Sequence, residues 1–301
     1  MQWRGRRQST NVRDVRGTGG GLGGGFGGGL GRGRGGPFVT RRAGGGGIGA
    51  IIVVLILAWV LGINPLELLT GGGQLTAPQS QQVGNRAGVS DEMRDFVATV
   101  LADTEDTWKA IFAASGETYP EPTLTLFTDS VNSACGFASA ATGPFYCPAD
   151  QNLYIDFGFY DDLRTRFGAP GDFAQAYVLA HEVGHHVQNV LGVLAETQRQ
   201  RQSVSESEGN AISVRTELQA DCFAGIWANH TNRKGLLEAG DIDEALTAAT
   251  AIGDDTLQRQ GQGYVVPDSF THGTSEQRAR WFKRGYEQGT VDACDTFNGD
   301  I

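Results

Sequence analysis

The run His181-Glu182-Val183-Gly184-His185 limits most sharply what this chain can fold into. It lies within residues 172–192, where Phe173, Ala176, Tyr177, Ala180, Val183, Val187 and Leu191 recur at helical spacing. Asp172 can cap the start of that helix and Gly192 can end it. Residues four apart share one face of a helix, so His181 and His185 can aim two imidazoles at one point. Glu182 is rotated by one position and can stand beside that point. Two nitrogen donors and a neighbouring carboxylate are what a divalent metal site with its own base requires. His186 is turned about 100° away from the ligand face and is left out.

Two imidazoles do not complete such a site, because a catalytic zinc centre usually takes three protein ligands. Glu217-Leu218-Gln219-Ala220-Asp221 offers a third and opens a second apolar helix through Cys222, Phe223, Ile226 and Trp227. Glu206 and Glu208 compete, although their Ser/Glu/Gly surroundings read as loop or frayed helix. His230 also competes, at a position that suits a helix C-terminus. A third segment, residues 271–278, holds His272 and Arg278. Within it Thr274 and Gln277 form a capping box for a helix over residues 275–288.

H-E-x-x-H followed by E-x-x-A-D resembles the glutamate-type zincins. The chain as a whole resembles the neutral zinc metallopeptidase family. That resemblance is carried by the opening Met1-Gln2-Trp3-Arg4-Gly5-Arg6-Arg7-Gln8-Ser9, and by residues 145–150, 168–177, 181–188, 217–227, 253–255 and 267–284. It implies an α+β fold: a mostly helical zincin-like domain with a small antiparallel sheet, whose edge strand would hold a substrate peptide. It implies Zn2+ held by His181, His185 and Glu217, with Asp221 accepting the free N–H of a ligand histidine. Glu182 is the expected general base. His272 and Arg278 are expected near the oxyanion or substrate, although Gly273 stands where related membrane-bound zincins usually carry proline. The substrate implied is a peptide or protein. A zinc-stabilised envelope protein that binds a partner without cleaving it is the alternative.

The formal charge of −10 hides two opposite pieces. Residues 1–42 carry nine arginines against Asp14 alone, and the rest of the chain is acidic. Glycine fills most of residues 17–36, a composition that cannot bury enough apolar area to offset chain entropy. Residues 1–42 are therefore expected to be a disordered cytoplasmic tail, with nucleic-acid binding the less favoured use of its arginines. Residues 43–66 have no charged side chain and read as one transmembrane anchor, and the upstream arginines hold the N-terminus inside. A cleaved signal peptide is the rival reading. Residues 67–90 read as a linker and 91–301 as the metallopeptidase domain, extracytoplasmic in this reading. Helices are expected over 91–114 and 241–252, and strands over 124–127 and 153–155. Four cysteines, Cys135, Cys147, Cys222 and Cys294, all follow the apolar stretch. Their even number suggests two disulfides in an exported domain. Of three possible pairings, Cys135–Cys147 and Cys222–Cys294 is preferred.

Overall fold

A long helix, α1 (Arg86–Ala114), opens the main body of the computed structural model, which describes residues 1–16, 86–139 and 142–301. Its inner face carries Phe96, Val97, Val100, Leu101, Trp108 and Phe112, all buried. It packs on two helices that form the centre of the molecule. These are α3 (Asp172–Val190) and α5 (Glu206–Arg233), preceded by α2 (Phe157–Thr165) and separated by the short α4 (Val193–Arg201). Three further helices, α6 (Asp241–Ala251), α7 (Asp254–Gln262) and α8 (Ser275–Gln288), close the far side. Helix α8 starts at the expected capping box of Thr274 and Gln277. The fold is thus α+β and mostly helical, with the core between α1, α3, α5 and α8.

The sheet is mixed, which corrects the expectation of an antiparallel one. Its order is β1 (Val12–Asp14), β2 (Thr123–Phe127), β6 (Asn152–Asp156) and β5 (Phe145–Cys147). Only β5 and β6 are antiparallel; β1–β2 and β2–β6 run parallel. Parallel pairing needs a long connection. The stretch between β2 and β6 supplies one, with the separate hairpin β3 (Ser130–Ser133) and β4 (Gly136–Ser139) inside it. Strand β5 ends the sheet, so among the described residues one of its edges is unpaired within it.

The first sixteen residues are not a disordered tail. They lie in the same compact unit as residues 85–301. Trp3 is buried edge-on against Phe96. Arg6 Nη2 lies 3.0 Å from Asp103, and Arg7 pairs with Glu105 and Asp106. The Met1 ammonium lies 2.9, 3.1 and 3.2 Å from Asp172, Glu238 and Asp241. These arginines are spent on acidic residues of α1, and that pairing brings β1 to the edge of β2. One body cannot straddle a bilayer. The expected arrangement, N-terminus cytoplasmic and catalytic domain extracytoplasmic, finds no support in this packing. Among the described residues no helix is long and apolar enough to cross a membrane. The anchor expected at 43–66 and the linker at 67–90 lie outside the described residues, apart from the first turn of α1.

Candidate metal centre

Helix α3 is seated from outside its own sequence. Its N-cap is Gly171, not Asp172, and Glu244 of α6 accepts the free N–H of Phe173 at 3.0 Å. Helix α5 begins earlier than expected, at Glu206, behind a capping box of Ser205 and Glu208. Glu206 and Glu208 are therefore exposed first-turn residues, three turns from Glu217. The two helices cross at Gly184, where an added Cβ would stand 2.9 Å from the Ala220 carbonyl. The glycine of the first motif and the alanine of the second allow the backbones to approach, and that approach brings His181, His185 and Glu217 together.

His181 Nε2 lies 3.1 Å from Glu217 Oε2, and His185 Nε2 lies 3.5 Å from Glu217 Oε1. The three residues offer donor atoms within 4.8 Å of one another. Tetrahedral bonds of about 2.0–2.1 Å set neighbouring ligand atoms about 3.3 Å apart, so the group fits zinc. Its charge fits as well. Burial disfavours the imidazolium form of His181, yet Asp221 and Glu217 raise its pKa to about 10. Burial likewise disfavours the Glu217 carboxylate, but His185 and His181 hold its pKa well below the usual range. The pocket thus favours positive charge.

The free ring nitrogens are also fixed. His181 Nδ1 donates to Asp221 Oδ1 at 2.8 Å, leaving Nε2 for a metal. Asp221 further accepts from Tyr177 Oη at 2.6 Å and from Arg278 Nε and Nη2 at 2.9 and 3.0 Å. Burial would raise the pKa of Asp221, but Arg278 and His181 bring it down to about 2. His185 Nδ1 lies 2.9 Å from Gln188 Oε1. Gln188 Nε2 donates to the Thr216 carbonyl and to Gln219 Oε1, so its oxygen must be the atom facing His185. Such partners orient ligands and raise their basicity. Sequence reasoning found Asp221 by resemblance but missed Gln188 and Tyr177. Both lie on the ligand face, three residues after His185 and four before His181, so helical spacing could have found them.

The site opens into a cleft of about 970 Å3. Glu182 lines it beside both histidines, and burial, partly offset by His185 and His181, raises its pKa. Phe145 and Tyr146 of β5 form part of the wall. His272 forms another part, half exposed, with Nδ1 3.3 Å from Asp254 Oδ1. Hydrogen bonding to Asp254 raises the pKa of His272. Arg278 also lines the cleft. Its guanidinium is buried and bound to Asp221, behind the ligands. His230 reaches the Gly289 carbonyl at 3.3 Å and takes no part. His186 is buried off the ligand face, 2.7 Å from the Pro120 carbonyl. The cysteines form two disulfides, Cys135–Cys147 and Cys222–Cys294.

Comparison with known sequences agrees with this geometry. Residues 1–297 match the model of the family described as "Putative neutral zinc metallopeptidase". The chain is 47% identical over 303 residues to the uncharacterized protein YpfJ of Escherichia coli K12, covering all of both chains. It is 42% identical over 214 residues to the uncharacterized protein Rv2575 of Mycobacterium tuberculosis, covering 67% of this chain and 71% of the relative. No solved structure matches.

Proposed function

The chain belongs to the neutral zinc metallopeptidase family, and from that premise we propose that it is a zinc-dependent endopeptidase. The observation that carries the reading is the meeting of His181, His185 and Glu217 around one point, with Glu182 beside it at the cleft. Zinc, when bound there, supplies Lewis acidity, lowering the pKa of water towards about 7 and polarising a carbonyl.

The remaining work falls to the chain's own groups. Glu182 takes the proton from the attacking water and returns it to the leaving amine. Its raised pKa makes it a stronger base towards that water. His272, drawn towards its charged form by Asp254, is suited to donate to the oxygen that becomes negative when the carbonyl is attacked. Arg278 and Tyr177 keep Asp221 ionised and aimed at His181. The unpaired edge of β5 supports binding of an extended peptide by backbone hydrogen bonds, which favours cleavage within a chain. The uncharged stretch 43–66 supports attachment to a membrane. The two disulfides support an oxidising compartment.

The test is digestion of a mixed peptide library by the full chain. Cleavage should stop with a chelator and return with zinc. Cleavage that persists in chelator, or none at all from a zinc-loaded preparation, would refute the proposal.

A further inference from the structure

The described N-terminal segment contacts α3 directly and reaches α5 through Asp103 of α1, in a closed circuit of contacts. Its first residue reaches Asp172, the first residue of α3. Its Arg6 reaches Asp103 on α1. Asp103 is buried and also accepts from Trp227 Nε1 at 2.9 Å and Thr231 Oγ1 at 2.7 Å, both on α5. Trp227 in turn stacks on Phe173 of α3, with ring centroids 5.4 Å apart and planes 11° apart. The circuit therefore runs from the segment through α1 and α5 to α3 and back to the segment. Trp3, packed on Phe96, and β1, paired to β2, fasten the remainder. Ligand atoms on different helices keep their separation only if the helices keep theirs, and a displacement of about 1 Å is enough to spoil a site.

We propose that residues 1–16 form a strap that sets α3 against α5, so that His181 and His185 meet Glu217 at metal-binding distance only while the strap is docked. The metal half of this statement rests on the function proposed above. The helix-seating half does not. The strap residues are positioning residues, since none of them lines the cleft.

The experiment compares the full chain with Trp3→Ala, Arg6→Ala and Arg6→Lys, and with Arg13→Ala as the exposed control on the same segment. Zinc affinity is read by competition with a chromophoric chelator, well below each variant's unfolding midpoint. Backbone hydrogen exchange is followed over residues 172–180 and 217–223. Trp3→Ala and Arg6→Ala should bind zinc about tenfold or more weakly, the size of effect seen when ligand supports are lost. Both stretches should exchange faster in these variants. Arg6→Lys should recover most of the loss, and Arg13→Ala should match the parent. Variants that unfold at lower temperature yet keep parental zinc affinity and parental exchange in both stretches would overturn the proposal. If the parent chain bound no zinc, the function reading would fail and the exchange arm would still decide the strap: unchanged exchange refutes it, and faster exchange in both stretches sustains it.

Discussion

Gln188 shows how much of the site depends on single atoms. Its amide nitrogen is committed to Thr216 and Gln219, which turns its oxygen to His185 and leaves His185 Nε2 pointing at Glu217. Gln188→Leu keeps the volume and removes the acceptor, so zinc affinity should fall about 10- to 100-fold by chelator competition. Glu182→Gln should behave in the opposite way: zinc stays, and turnover on any cleaved library peptide falls by about 100-fold or more. Comparable turnover in that variant would remove Glu182 from the base role. The sharing of one helix face by His181 and His185, with Glu182 beside it, was legible from helical periodicity, whereas Glu217, on another helix, came from the resemblance of E-x-x-A-D to the glutamate-type zincins. Gln188 could be found on the ligand face by spacing, but which of its amide atoms faces His185 was not legible, because a carbonyl on another helix decides it. The partner of Arg278 was not legible for the same reason: an arginine lining a cleft can also bind a buried acid, here Asp221.

At the scale of elements, the close crossing of α3 on α5 and the staple from α5 to the C-terminal segment hold the ligand helices. Cys222–Cys294 closes a sequence separation of 72 residues. A loop of that length contributes about 4 kcal/mol through the unfolded chain. Reducing it, or making Cys222→Ala with Cys294→Ala, should lower the unfolding midpoint in denaturant, while the Cys135–Cys147 pair should matter less because its separation is only 12. Asp103 gives a pH dependence. Burial would raise its pKa, but Lys234, Thr231 and Arg6 hold it below its ordinary 3.8. A depressed folded-state pKa adds stability that is full above the unfolded value and is lost as pH falls through the folded one. Stability should therefore decline as pH drops below about 4, and Asp103→Asn should flatten that part of the profile in thermal melts. The helices over 91–114 and 275–288 were readable from apolar spacing and a capping box. The start of α5 was not, because polar exposed turns look like loop, and strand direction was not, because it depends on the connections.

For the whole molecule, the arginines near the N-terminus carry two readings. Counted along the chain they read as topology markers; in space Arg6 and Arg7 are partners of acidic residues on α1. Charge counts carry no pairing information, so the union of residues 1–16 with 86–301 was hidden from the sequence. It predicts that both parts occupy one compartment. Cysteines introduced at Arg13 and at Glu287, labelled by a membrane-impermeant thiol reagent in intact cells, should react alike; labelling of only one would contradict the single body. The central claim is that one divalent ion is shared by two imidazoles of α3 and one carboxylate of α5. X-ray absorption at the zinc edge of the purified full chain tests it most directly. The account predicts one zinc per chain with only nitrogen and oxygen neighbours at about 2.0–2.2 Å, and loss of that zinc in both His185→Ala and Glu217→Ala. Sulfur neighbours, or a zinc that survives both substitutions, would contradict it.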